Sequence, residues 1–157
     1  MKQLELRRHA PRDPSADRLS REGRGRAEDV GRSASATYDV VFVSPAQRAA
    51  ETAAWFLRGA GQQLPSHATI EGLAGRDVTG GTPEGMAAGV RALLDQVPDG
   101  GRGIAISHTP FVERAALGLT GQEVRAFAEC EGILVTQADD GSISVAELRL
   151  GEGPRPA

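Results

Sequence analysis

Two continuous apolar runs decide what this chain can fold into. Tyr38-Asp39-Val40-Val41-Phe42-Val43 and Gly103-Ile104-Ala105-Ile106-Ser107 lack the polar–apolar alternation of a half-exposed strand. Their β-branched content suits strands covered on both faces, which is the signature of a parallel sheet between helices. Each run leads directly into helix-opening residues. Ser44-Pro45-Ala46-Gln47 reads as a capping box, with serine as cap, proline at the first helical position and glutamine three residues on. The helix it opens runs from Gln47 to about Arg58 and ends at Gly59. Thr109-Pro110, following His108, repeats the cap-plus-proline device ahead of a helix to about Leu117-Gly118.

The other elements fit between these. Lys2 to Arg8 alternates Leu4 and Leu6 with polar neighbours, as a strand with one well-buried face, and Pro11 forces Ala10 out of helical geometry. Ser20 caps a helix that continues through Ala27 and Val30 to about Ser35. Ala68-Thr69-Ile70 is a short strand, and the glycine-rich stretch from Gly72 to Gly81 is a loop long enough to line a site. Thr82-Pro83-Glu84 starts a helix to roughly Val97, and Gly121 to Ala128 reads as one more short helix. Ile133–Thr136 and Ile143–Leu148 flank Asp139-Asp140-Gly141, a hairpin signal. The whole predicts a three-layer αβα sandwich with a mostly parallel sheet and a C-terminal hairpin. Residues 1–150 form a single domain and the tail from Gly151 frays.

Composition removes several function classes. No segment approaches the 18 or more apolar residues of a membrane span, and the first residues lack a signal peptide's apolar stretch, so a cytoplasmic protein is expected. Cys130 is the single cysteine, read as a small core residue. Three histidines without metal-ligand spacing imply no zinc site, and no cofactor is implied. A net charge of −3 argues against nucleic acid. The distribution is uneven: residues 1–32 carry nine basic and six acidic side chains, the remainder nine and fifteen. That excess reads as a solvated face, with attraction of anionic substrates as its functional alternative.

In parallel sheets of this kind ligands sit at the carboxyl ends of the strands. Three strand ends carry suitable residues: Arg8-His9 after the first, Arg48 just after the second, and His108 after the third. Singly, Arg48 reads as a surface arginine and His108 as a satisfied histidine. Together they put two guanidinium groups and two imidazoles around one small dianion.

The same stretches resemble the histidine phosphatase superfamily, with its phosphoglycerate mutase-like fold. Leu6-Arg7-Arg8-His9-Ala10 is similar to its Arg-His-Gly signature, with Ala10 in place of glycine. Leu19-Ser20-Arg21-Glu22-Gly23-Arg24-Gly25-Arg26-Ala27 resembles the segment that follows it. Ser44-Pro45-Ala46-Gln47-Arg48-Ala49-Ala50-Glu51-Thr52-Ala53 matches the Ser-Pro-x-x-Arg-Ala-x-x-Thr-Ala motif, and Ile106-Ser107-His108-Thr109-Pro110 matches the second histidine motif. The resemblance implies attack on phosphorus by His9, a clamp of Arg8 and Arg48 on the phosphoryl oxygens, and His108 completing the pocket. It also implies an acid near the pocket: Glu71, which keeps the family's spacing to Gly75, with Asp77 as competitor. Glu84 reads as a helix-start charge, and His67 as an exposed bystander. Length and the Ile-Ser-His-x-Pro stretch look most like SixA-type phosphohistidine phosphatases, which implies a phosphorylated protein as partner. The alternatives are a small-molecule phosphomonoesterase and a catalytically silent phosphate-binding module.

Overall fold

The computed structural model describes residues 1–63, 66–76, 80–151 and 155–156, the last pair through its backbone alone. The elements run β1 (Lys2–Arg8), α1 (Arg21–Ala34), β2 (Val40–Val43), α2 (Gln47–Gly59), β3 (Ala68–Thr69), a 3₁₀ turn (Glu71–Ala74), α3 (Pro83–Leu94), β4 (Arg102–Ser107), α4 (Phe111–Thr120), β5 (Gly132–Gln137), β6 (Ile143–Leu148) and β7 (Arg155–Pro156). They form one sheet in the order β3-β2-β4-β1-β5-β6-β7. The first four strands in that order are parallel, and β5 turns antiparallel against β1 to begin the C-terminal hairpin. Residues of the tail, expected to fray, add the short strand β7 to the edge of β6.

Strand alternation sends two apolar sets to opposite faces. Leu4, Leu6, Phe42 and Ala105 pack with Met86, Val90 and Leu94 of α3 and Val112, Ala115 and Ala116 of α4. Val41, Val43, Ile104 and Ile106 pack with Ala27 and Val30 of α1 and Ala49, Ala53 and Phe56 of α2. The result is the three-layer αβα sandwich that the alternation of strands and helices predicts.

Three expectations need correction. First, β1 is covered on both faces, not one. Its polar face is buried because the charges are matched: Glu5 is fully buried and accepts from Arg7 Nε at 2.7 Å, from Arg102 Nη2 at 2.6 Å and from the Tyr38 hydroxyl. Burial alone would raise the Glu5 pKa, but Arg7, Arg102 and the Tyr38 hydrogen bond together hold it below the ordinary value. Second, the segment from Gly121 to Ala128 is not helical. Gly121 ends α4 in a left-handed conformation at φ 76°, its N–H bonded to Leu117 O. The backbone beyond it bonds to side chains instead: Arg149 donates to the Arg125 and Ala126 carbonyls, and Glu113 accepts from Phe127 N. Third, α3 stops at Leu94, three residues short of Val97.

Candidate active site

The site lies where β1, β2 and β4 end together. β1 has a parallel neighbour on one side and an antiparallel one on the other, so its carboxyl end opens at a change of direction. His9 N donates to Ser107 O at 3.0 Å and Arg8 N to Glu131 O at 2.8 Å, which fixes the Arg8-His9 pair at the edge. The loop beyond is pinned by α1. Ser20 caps that helix through Gly23 N at 3.0 Å, as expected, and Gly23 lies so close to the loop that a Cβ would stand 1.9 Å from Pro11 O. Ala10, in the family's glycine position, is fully buried and donates its N–H to Thr52 Oγ1 at 3.0 Å.

His9 is buried, and its Nδ1 lies 2.8 Å from the Ala10 carbonyl. A carbonyl only accepts, so Nδ1 carries the proton and Nε2 keeps its lone pair. Burial lowers the His9 pKa; the bond to Ala10 O works against it, and the charges of Arg48 and Arg8 add to the lowering. The imidazole is therefore neutral near pH 7 and can act as a nucleophile. Arg8 donates through Nη1 to Phe127 O at 2.9 Å and lies 4.0 Å from Glu129 through Nη2.

His108 stands edge-on to His9, ring centroids 5.2 Å apart. Its Nδ1 is 3.3 Å from Arg48 Nη2 and its Nε2 2.6 Å from Ser44 Oγ. Burial, then His9 and Arg48, push its pKa down to about 4, with Arg76 contributing in the same direction. Among the described residues, Arg8 Nε and Arg48 Nε are both buried without a hydrogen-bond partner. Two donors so placed suit an oxyanion brought by a ligand.

The capping box at α2 is not formed. The cap position falls on Ala46, without a side-chain bond, and Gln47 bonds Glu51. Ser44 instead accepts from Ala46 N at 3.3 Å and meets His108. The first N–H groups of α2, at Gln47 and Arg48, go to Asp17 at 3.0 and 3.2 Å, and Asp17 Oδ1 also pairs with Arg48 Nη1 at 2.8 Å. The device at α4 fails in a similar way. Pro110 takes the cap position, Phe111 N and Val112 N donate to His108 O, and Thr109 bonds Glu113.

Arg8, His9, Arg48 and His108 line one open pocket of about 730 Å³, together with Asp17 and Glu129. Glu71 does not line it. That residue is exposed, at the start of the 3₁₀ turn, whereas Ala74 and Arg76 just beyond it reach the pocket. Asp77 lies outside the described residues. His67 is exposed and away from the pocket, and Glu84 sits in the first turn of α3 beneath the Thr82 cap.

The sequence pattern of the histidine phosphatase superfamily (branch 1) matches residues 6–99. The chain belongs to the histidine phosphatase superfamily. No curated protein matches this histidine phosphatase, but solved structures share its fold. The protein histidine phosphatase SixA complexed with tungstate superposes with a TM-score of 0.72 at 23% identity, over 94% of this chain and 96% of that one. A phosphoserine phosphatase from Entamoeba histolytica, in complex with phosphoserine, gives 0.77 at 16% identity, over 97% and 98%. A mycobacterial glucosyl-3-phosphoglycerate phosphatase gives 0.71 at 14%, over 94% and 97%.

Sequence reasoning passed over Asp17, Ser44 and Glu129 in this phosphatase. Ser44 was visible but read as a cap. Asp17 and Glu129 lie in polar loops, and only the fold brings them to the pocket.

Proposed function

We propose that this histidine phosphatase removes phosphate from phosphohistidine in a protein, without a metal, through a phosphohistidine formed on its own His9. The observation that carries the reading is the state of His9: Nδ1–H bonded to Ala10 O, pKa lowered, and Arg8 and Arg48 beside it. In the first step Nε2 attacks phosphorus, and Arg8 and Arg48 bear the charge that spreads over the non-bridging oxygens. The substrate's N–P bond breaks, and its imidazole leaves neutral when the other ring nitrogen is protonated. Water then attacks phosphorus, releasing inorganic phosphate and regenerating His9.

A phosphoramidate fits the site better than an alkyl ester does. An alkoxide needs a proton from an acid as it leaves, and Glu71 lies outside the pocket lining. The openness of the pocket suits a side chain presented by another protein. The second reading is a small-molecule phosphomonoesterase, supported by Glu129, a carboxylate that lines the pocket as the acid for an alkoxide leaving group would.

The test is phosphate release from a phosphohistidine-bearing protein and from p-nitrophenyl phosphate, by wild type and His9→Ala, with chelator present. Faster turnover of the phosphoprotein, lost in His9→Ala, supports the reading. Preference for the ester moves it to the second. A fully active His9→Ala protein overturns the mechanism.

A further inference from the structure

The glycine-rich stretch before α3 has no part in the phosphoryl clamp, yet two of its glycines are matched to one pocket residue. A Cβ at Gly75 would stand 2.6 Å from Cε1 of Phe111, and one at Gly81 would stand 2.4 Å from the same carbon. Gly75 is also left-handed, at φ 71°. Glycine at both positions therefore lets the loop backbone lie against the Phe111 ring. From the helix side, Arg114 sets its guanidinium over that ring, 5.8 Å from the centroid, and donates through Nη1 to Gly81 O at 3.2 Å. Loop and helix grip one phenyl ring between them.

That residue belongs to the active-site pocket. Phe111 opens α4 and is tied to the second histidine, its N–H donating to His108 O at 3.0 Å. Of the chain's six phenylalanine, tyrosine and tryptophan residues, Phe111 alone lines the pocket. Tyr38, Phe42, Phe56 and Phe127 are buried in the core, and Trp55 lies on α2 against Arg58. Depth matters as well. His9 and His108 are buried at the strand ends, whereas Phe111 is half-buried. Phosphoryl transfer runs in line, so a phosphoryl group attacked by His9 from the strand ends carries its leaving group outward, toward the wall. Packing against the core beneath α3 and α4 explains why residue 111 is apolar. It does not call for an aromatic ring, because leucine would fill that role.

We propose that Phe111 is the specificity residue for the leaving group, its ring packing on a planar aromatic ring of the substrate in preference to an alkyl group. The proposal rests on the phosphatase reading above and adds the residue that recognises the substrate's ring. Aromatic rings attract one another beyond the area they bury, offset-stacked or edge-to-face, and a ring already held in place loses little freedom on contact. The planar ring is the imidazole of phosphohistidine or the phenol of an aryl ester.

Ring-bearing and ringless ligands test this in binding and in turnover. Phenylphosphonate and methylphosphonate, whose carbon–phosphorus bond is not hydrolysed, are compared by dissociation constants from calorimetry. N-phosphoimidazole against phosphoramidate, and phenyl phosphate against methyl phosphate, are compared by kcat/KM. Differences in intrinsic reactivity cancel when the ratio within a pair is set between wild type and two variants, Phe111→Leu and Phe111→Met, which keep an apolar side chain and lose the ring. Both variants should lower the ring-to-ringless ratio by about three- to tenfold, the scale of one aromatic contact, in binding and in at least one turnover pair. The ringless members should keep their wild-type values. The turnover pair that responds names the ring as imidazole or phenol. An unchanged ratio in both variants, a loss shared equally by the ringless members, or a change in binding that neither turnover pair follows overturns the role of Phe111. His9→Ala keeps the two readings apart. Phosphate release lost there, with ratios unchanged in the Phe111 variants, leaves the phosphatase mechanism standing without the ring contact. Phosphate release intact in His9→Ala, with ratios that fall in the Phe111 variants, keeps the ring contact and removes the mechanism.

Discussion

Arg48 donates through Nη2 to Nδ1 of His108 at 3.3 Å, and this contact sets the tautomer of the second histidine. A guanidinium can only donate, so Nδ1 of the neutral ring must accept, and the proton resides on Nε2, directed at Ser44 Oγ 2.6 Å away. In the proposed mechanism Arg48 thus has two roles, one toward the phosphoryl group and one toward His108. Lysine keeps the charge but loses the fork that meets Asp17 and His108 together. Arg48→Lys should lower kcat by about 10²-fold, the scale of one transition-state donor, with the fold intact. Steady-state kinetics on p-nitrophenyl phosphate, with circular dichroism as control, would show it; near-wild-type turnover would refute the dual role.

The histidines predict an acid limb with a definite sign. Both have pKa values below the ordinary 6.5, His108 at about 4. In the proposed mechanism His9 attacks only when neutral, so kcat/KM should hold as pH falls past 6.5 and decline only at lower pH. A decline centred at or above 6.5 would contradict the buried, arginine-flanked ring.

Stability has the same origin. Between pH 6.5 and about 4 the unfolded chain binds a proton at His108 that the folded chain refuses, so folding weakens as pH falls through that window. The gap between those values corresponds to about 3 kcal/mol. Urea unfolding at pH 7 and 4.5 should show a smaller acid loss in His108→Gln than in wild type. The carboxylates, Glu5 and Asp17 among them, add acid sensitivity to both proteins, which is why the comparison with the variant carries the test.

Glu5 is the most exacting residue of the core. Replacing it with glutamine leaves Arg7 and Arg102 facing each other across a neutral group, and breaking a buried pair of this kind costs about 3–5 kcal/mol. Chemical denaturation of Glu5→Gln measures it directly. A loss under 1 kcal/mol would mean that water reaches the network.

Glycines 23 and 25 in α1 give opposite signs for one substitution. Alanine is the better helix former by about 1 kcal/mol, so Gly25→Ala, whose Cβ would meet nothing within 4 Å, should stabilise by up to that amount. At Gly23 the Cβ would stand 1.9 Å from Pro11 O, a backbone atom that cannot swing aside. Overpacking of this kind costs about 1–3 kcal/mol and exceeds the propensity gain. Because Pro11 is two residues from His9, Gly23→Ala should also lower kcat. Thermal unfolding and turnover of the two variants side by side decide it.

These contrasts show what could be read from the sequence. The strands over Val40–Val43 and Gly103–Ser107, the cap at Ser20 and the helix start at Thr82-Pro83 are set by residues within a few positions of one another, and they read correctly. The gathering of Arg8, His9, Arg48 and His108 followed from the rule that such strands open at one edge. The failures share a cause. Ser44 looked like a cap because its neighbours fit, but His108, 64 residues away, meets its hydroxyl. The polar face of β1 looked exposed because Tyr38 and Arg102, the partners that allow Glu5 to be buried, are distant in sequence. The 121–128 segment had helix-compatible residues, yet Arg149 and Glu113 bond its backbone.

Asp17 ties the start of α2 to the pocket. Its carboxylate caps α2 at Gln47 N and Arg48 N and braces Arg48 Nη1, so it acts at the position of the helix where a phosphate would otherwise be favoured. Burial would raise its pKa, but the hydrogen bonds from Gln47 and Arg48 lower it, so the group is charged at neutral pH. Two effects of Asp17→Ala are then opposed. Removing the negative charge strengthens the attraction of the pocket for an anion, whereas losing the brace lets the Arg48 fork leave its position beside His108. Ground-state binding depends on charge, and the transition state depends on placement. Asp17→Ala should therefore bind inorganic phosphate at least as tightly as wild type while kcat falls by about tenfold, with about 1 kcal/mol of stability lost with the cap. Phosphate inhibition constants and kcat, measured on the same preparation, separate the two. If both weaken together Asp17 supports binding alone, and if kcat rises the carboxylate is a competitor of the substrate and not a brace.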